Sequence, residues 1–193
     1  MHREFKYELI RKFIHLFMLL VPIGYNYLSY GTVVPVVAFL AAGAVTIDIL
    51  RVRVPAFKAW LYKYLGGIFR VYETVTFSGA SFILFGALLS VLIFSRRVAQ
   101  LVITFIVLGD IAAALVGKRW GRHKLIGNST IEGSLAFFVA SFAGSLFITP
   151  FPLWQKLVAA IFATIVEMLP LKIDDNLTVP ILTGAFLSLL SRL

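Results

Sequence analysis

The sequence predicts an all-α integral membrane protein with about seven transmembrane helices and one amphipathic helix on the cytoplasmic interface. Three observations predict it. The 193 residues are 60% hydrophobic and 14% charged, with a mean hydropathy of +0.94. Soluble domains run nearer half apolar and a quarter charged. Apolar runs of about one bilayer thickness recur from end to end and leave no room for a separate soluble domain, so residues 1–193 read as one polytopic domain. Third, Lys and Arg gather in alternate connections, as the positive-inside rule requires.

Spans are expected near 13–30, 32–50, 79–95, 98–116, 132–150, 155–170 and 178–192. The first is too long for a signal-peptide core and lacks a small-residue cleavage site, so it reads as a retained helix. Glycines and prolines such as Gly31, Pro55, Gly66-Gly67, Pro152 and Pro170 punctuate the ends. The cations of the N-terminal segment (Arg3, Lys6, Arg11, Lys12), of 51–72 (Arg51, Arg53, Lys58, Lys63, Arg70), of 117–130 (Lys118, Arg119, Arg122, Lys124) and Lys172 then share one side. Only Arg96, Arg97, Lys156 and Arg192 remain for the other. The richer side is expected to be cytoplasmic. The net charge of +9 has its simplest cause in this topology and in anionic lipid, so no nucleic-acid partner is implied.

The 51–72 connection is expected to be helical. Phe57, Trp60, Leu61, Tyr64, Leu65, Ile68, Phe69 and Tyr72 recur at three- and four-residue steps. A basic helix with such a stripe lies in the headgroup plane, as an anchor or as a lateral gate for a lipid.

The chain has no cysteine, which excludes disulfides, thiolate metal sites and cysteine nucleophiles. Its histidines give no zinc spacing and its serines show no base partner. The nine acidic residues carry the information. Asp110 closes the apolar run 101–109, Asp174 and Asp175 follow the run that ends at Leu169, and Glu132 heads another. A carboxylate in or beside hydrocarbon costs several kcal/mol unless a cation or water compensates it. Such placement points to a metal or a reaction, hence to an enzyme. Asp174-Asp175-Asn176 offers hard oxygen donors suited to Mg²⁺ shared with phosphate oxygens. Asp110 reads as a site carboxylate, or as a structural one paired with Lys118 or Arg119. Glu167 faces inward or pairs with Lys172, and Asp48 has Arg51 or His15 and Arg11 within reach.

Residues 109–133 are the densest stretch. Lys118, Arg119, Arg122 and Lys124 lie among glycines, followed by Gly127-Asn128-Ser129-Thr130-Ile131-Glu132-Gly133. Cations and close-approach glycines suit a polyphosphate. Ser129 stands three residues before Glu132, a capping-box spacing that predicts a helix start and an anion site at its N–H groups. Gly133 would let a phosphate come near. No Gly-x4-Gly-Lys-Ser/Thr occurs, so this is no P-loop. The plainer alternative is a positive-inside loop with turn glycines.

Glu8-x-x-Arg11-Lys12-x-x-His15, Gly109-Asp110-x-x-Ala113-x-x-x-Gly117-x-x-x-Gly121-x-x-Lys124, Thr130-x-Glu132-Gly133-Ser134, and Glu167 with Asp174-Asp175-Asn176-Leu177-Thr178-Val179-Pro180 occur in that order. The chain thereby resembles the polyprenol kinase family, which includes dolichol kinase, phytol kinase and the CTP-dependent diacylglycerol kinases. The resemblance implies transfer of the γ-phosphoryl of a nucleotide, typically CTP, to the hydroxyl of a membrane lipid alcohol. It also implies that 110–133 binds the nucleotide. One departure is Ser129, where the family usually has Lys; either Lys124 or Lys118 takes the phosphate contact, or the nucleotide preference differs. On this reading Asp110, Asp174 and Asp175 hold Mg²⁺, and Asp110, Glu132 and Asp175 serve the reaction. Lys118, Arg122, Lys124, Asn128, Ser129, Thr130, Gly133, Arg11 and His15 are the candidate nucleotide-binding residues. The alternatives are a phosphatidate cytidylyltransferase and a non-enzyme, either a small transporter or a lipid-binding subunit.

Overall fold

The computed structural model describes residues 2–70, 72–127, 129–148 and 151–192. Its elements are all helical: α1 (His2–Leu16), a 3-10 turn (Phe17–Leu19), α2 (Leu20–Tyr27), α3 (Tyr30–Arg53), α4 (Pro55–Leu65), a second 3-10 turn (Tyr72–Thr74), α5 (Gly79–Ile93), α6 (Arg96–Trp120), α7 (Ile131–Ser145), α8 (Leu153–Met168) and α9 (Asp175–Leu190). All seven apolar runs fall on helix. Two helices, α3 and α6, are long and apolar enough to cross a bilayer, while α5, α7 and α9 are apolar but shorter.

Helix α6 is the axis of the bundle, and α7, α9, α2, α1 and α5 pack around it. Its stretch from Val98 to Val107 is buried throughout. Helix α3 is peripheral and packs on α5. Small residues make the close contacts. Ala159, Ala160 and Ala163 of α8 are fully buried, and Ser141, Gly144 and Ser145 line the buried face of α7. Small residues let helix backbones approach, which is how helices associate where hydrocarbon removes the hydrophobic drive between them. Large apolar side chains point outward instead, Phe39 at 80% and Phe147 at 88% exposure. In water that outer surface would be a large sticky patch; in lipid it is solvated.

Prolines and one glycine shape the helices near the site. Pro22 has no N–H for the carbonyl of Met18, and the turn just before it tightens to 3-10 geometry. Pro180 likewise leaves the carbonyl of Asn176 without its helical donor. Helix α5 meets that carbonyl at Gly86, where a Cβ would stand 2.3 Å from the oxygen. Only glycine permits this approach.

The expected 51–72 helix is shorter. Residues Arg51 and Arg53 end α3, and α4 stops at Leu65 before Gly66-Gly67. Within α4, Trp60 and Tyr64 are exposed, Leu61 is buried, and the Trp60 ring packs tilted against Phe57 and edge-on against Tyr64, ring centres 5.9 Å apart in each pair. Beyond the break, Ile68 and Phe69 turn inward and line a cavity. The helix at the end of the basic loop starts one residue later than the Ser129 cap predicts. Thr130 is the cap, its Oγ1 accepting from the Gly133 N–H at 3.1 Å.

Candidate functional site

Arg11, Lys12 and His15 stand three, four and seven residues after Glu8, so the four share one face of α1. That face is turned inward. Glu8 is fully buried and gathers cations from three elements. Arg11 Nη2 donates to its Oε2 at 2.5 Å, Lys118 of α6 donates to the same oxygen, and Lys12 and Arg70 lie at 3.9 and 3.7 Å from Oε1. Burial pushes the Glu8 carboxyl up, but hydrogen bonds from Lys118 and Arg11 and the charge of Lys12 outweigh it and hold the group at about 2. One turn along, Lys12 Nζ donates to Asp110 Oδ2 at 2.5 Å, and His15 Nδ1 stands 3.4 Å from the same oxygen. Asp110 thus pairs with neither Lys118 nor Arg119, but with a residue 98 positions away.

The segment after α4 is fastened from behind. Asp48 and Arg51 are fully buried and bonded to each other at 2.6 Å. Asp48 Oδ2 accepts from the Ser78 N–H at 2.7 Å, Ser78 Oγ at 2.9 Å and Ser81 Oγ at 2.6 Å. Arg51 donates to the carbonyls of Thr76, at 2.8 Å, and Glu73, and lies over the Phe69 ring. Glu73 in turn accepts from the N–H groups of Arg70 at 2.8 Å and Gly79 at 3.1 Å. Arg11 Nη1 closes the frame on the Ile68 carbonyl at 2.8 Å.

The start of α9 completes the acidic side. Asp174 caps the helix, its Oδ1 accepting from Asn176 N at 3.0 Å and Nδ2 at 2.7 Å. Asp175 is close enough to feel the charges of Asp110 and Asp174. Glu167 also feels Asp110 and faces Ser134; its Oε2 is buried without a hydrogen-bond partner, and it forms no ion pair with Lys172. Among the described residues no group of three or more His, Cys, Asp or Glu stands at metal-binding spacing. Mg²⁺ in phosphoryl-transfer sites usually takes only one or two carboxylates, with phosphate oxygens and water completing the shell. The expected set of Asp110, Asp174 and Asp175 does not form such a group of three: Lys12 engages Oδ2 of Asp110, and Oδ1 of Asp174 caps α9.

Between α1, the turn after α4 and the start of α5 lies a cavity of about 270 Å³, and both Asp110 and Asn176 open onto it. Arg11 and His15 line it too.

The basic loop is arranged differently. Residues 121–131 fold back on themselves through Leu125 N–H to Ser129 O at 3.0 Å and Ile131 N–H to His123 O at 2.9 Å. Arg122 and Lys124 are exposed and in no ion pair among the described residues. Glu132 accepts from His123 Nδ1 at 2.7 Å. Gly133 is buried against α6, a Cβ there falling 3.3 Å from the Ala113 carbonyl, so its close approach is to protein. Asn128 lies outside the described residues. Sequence reasoning left Glu8, Lys12 and Arg70 without a role. The signal for the first two was present in the spacing Glu8-x-x-Arg11-Lys12; nothing in sequence tied Arg70 to them.

Fold and site together define a helical, membrane-type protein with buried carboxylates and cations facing an amphipathic cavity. No protein-family model matches the chain, and no solved structure does. Curated relatives do. The chain is 27% identical over 207 residues to CTP-dependent diacylglycerol kinase 1 of Schizosaccharomyces pombe, covering 96% of this chain and 94% of that protein. It is 25% identical over 188 residues to uncharacterized protein RP860 of Rickettsia prowazekii, covering 92% of each. It is 24% identical over 170 residues to CTP-dependent diacylglycerol kinase 1 of Saccharomyces cerevisiae, covering 74% of this chain and 58% of that protein. The two kinases among them bear out the resemblance to a polyprenol- and diacylglycerol-kinase-like family.

Proposed function

We propose that the chain is a multi-pass membrane lipid kinase that moves the γ-phosphoryl of CTP to the hydroxyl of a lipid alcohol at the cytoplasmic face. The observation that carries the proposal is the meeting of Asp110 with Lys12 and His15 of α1, beside Asp175, at the mouth of a largely apolar cavity. Near-full-length similarity to one protein named CTP-dependent diacylglycerol kinase 1, and partial similarity to another, supports both donor and acceptor class.

Phosphoryl transfer asks a protein mainly for alignment and for neutralisation of charge on phosphate oxygens. The lipid oxygen attacks the γ-phosphorus, the bond from that phosphorus to the β–γ bridging oxygen breaks, and CDP leaves. The hydroxyl proton passes to a carboxylate. Asp175, beside Asp110, is better placed for it than Glu132, which His123 engages. Asp110 with Asp174 or Asp175 would hold Mg²⁺, whose chemistry is to neutralise the triphosphate. Arg122 and Lys124, exposed and unpaired with acids, would receive phosphates with Ser129, Thr130 and the start of α7. Lys118, tied to Glu8, would position that loop's root rather than reach far from it.

The test is phosphorylation of a panel of lipid alcohols by the purified protein in vesicles. Diacylglycerol, geranylgeraniol and a long polyprenol are each offered with CTP or ATP, with and without a chelator. CTP- and Mg²⁺-dependent labelling of at least one alcohol is expected. No labelling with any pair would refute the proposal.

A further inference from the structure

We infer that the cavity between α1, the 66–70 turn and α5 is the acceptor subsite, and that it takes an uncharged, hydroxyl-bearing lipid head with the first part of a single chain. This rests on the lipid-kinase reading and adds where the acceptor sits and what its head carries.

The walls are divided. Ile14 and Met18 of α1 with Ile83 and Leu84 of α5 make its apolar lining, and Arg11, Lys12, Arg70, Glu73, Asp110 and Asn176 its polar one. A volume of about 270 Å³ is at the lower edge of the roughly 300–1,000 Å³ of small-molecule sites. It cannot enclose a two-chain lipid, so the rest of the tail must leave between helices.

Orphaned polar atoms point to a polar occupant. Arg11 Nε, His15 Nε2 and Asn176 Oδ1 are buried with no hydrogen-bond partner, and all three residues line this cavity. Buried polar atoms are nearly always satisfied, so each orphan marks a place for a donor or acceptor from outside the chain. His15 Nε2 and Asn176 Oδ1 belong to residues on the Asp110 side, where the reaction is placed.

Charge decides the kind of head. Each cation of the lining already has an acidic partner: Arg11 and Arg70 lie on Glu8 behind the wall, and Lys12 is on Asp110. An anionic lipid would have to displace one of these pairs, whereas a hydroxyl need not. The rival place for a lipid is the open groove of about 490 Å³ between α7 and α8. Its lining offers only Ser134 and Thr164 as polar groups, so it holds a chain but cannot present a hydroxyl to Asp110.

The experiment has two arms on the full chain in vesicles. A photoactivatable diacylglycerol is cross-linked, mapped by mass spectrometry, and competed with unlabelled dioleoylglycerol or phosphatidylglycerol. Labelling on 11–18 and 79–84 that dioleoylglycerol removes and phosphatidylglycerol does not is expected. Labelling confined to 131–138 and 161–165, or equal competition by the anionic lipid, would overturn the inference. In the second arm Ala80→Phe fills the cavity and Leu135→Trp fills the groove, each checked by its melting temperature. For Ala80→Phe the KM for the lipid should rise about tenfold or more while that for CTP stays within about twofold. An unchanged lipid KM in a folded Ala80→Phe protein counts against the cavity. If the wild type transfers no phosphoryl group at all, the kinase reading fails, yet the cross-linking arm still decides whether the cavity takes a neutral lipid.

Discussion

Two polar regions of the molecule are built on opposite plans. Around α1 and the 66–79 segment, charges are buried and each is held by several partners: Glu8 by four cations, Asp48 by Arg51 and two serines. In the 121–131 loop, Arg122 and Lys124 stand in solvent without acidic partners among the described residues, and backbone bonds, the Thr130 cap and the His123–Glu132 pair give the loop shape. Removing one member of a buried pair strands the other charge at about 3–5 kcal/mol, whereas exposed charges contribute about 0–1 kcal/mol. The first region therefore fixes geometry and the second stays available to a ligand. A reaction that joins a membrane-held acceptor to a soluble donor uses both.

The contrast can be broken from either side. The largest effect is expected from Asp110→Asn, which removes the carboxylate both Lys12 and His15 address. Turnover should fall by about a hundredfold or more, as when a charge-stabilising group is deleted from a catalytic centre. Steady-state phosphorylation by the purified variant checks this, and retained turnover would remove Asp110 from the reaction. Glu8→Gln should come next, destabilising the fold by about 3 kcal/mol or more because Arg11 and Lys118 lose the carboxylate they share. The loss would show as a lower midpoint in detergent-denaturation curves. Gly86→Ala should cost about 1–3 kcal/mol by pushing α5 off the Asn176 carbonyl, the ordinary penalty of overpacking. The same curves measure it, and a neutral result would mean that α5 and α9 are further apart. Arg122→Ala with Lys124→Ala should leave stability within about 0.5 kcal/mol while raising the KM for CTP. An unchanged KM would show that the nucleotide does not use this loop.

A pH series sharpens the Glu8 half of the comparison. The group sits at about 2 when folded and near its ordinary 4.5 when unfolded. Its stabilisation is therefore complete above about 4.5 and is lost as pH falls towards about 2. The stability gap between wild type and Glu8→Gln should be constant from pH 7 to 5 and close below that.

Helix content was legible because apolar runs and their glycine and proline boundaries are local signals. Each of the seven runs lies mainly on helix, although among the described residues only α3 and α6 meet the length and hydropathy of a spanning helix. The 51–72 stripe was over-extended for a specific reason. Ile68 and Phe69 keep the helical spacing of Phe57 to Leu65, but Gly66-Gly67 ends the helix and the two side chains serve the cavity instead. The Ser129 cap missed by one position because Thr130, equally suited to capping, follows it directly. In the site, Asp110 and the 174–175 pair stood out as carboxylates against an apolar background. Their partner Lys12 did not, since a basic residue near an N-terminal span already has a topological reason to be there. The role of Glu8 depends on Lys118, 110 positions away, and on Arg70. No local pattern announces such a hub; only packing α1 onto α6 creates it.

The central claim is tested most directly by giving the purified protein diacylglycerol and CTP labelled separately at its γ- and α-phosphates. The account predicts that γ label enters the lipid while the α label leaves as CDP. Label from the α-phosphate in the lipid, with release of pyrophosphate, would contradict it and mark cytidylyl transfer instead.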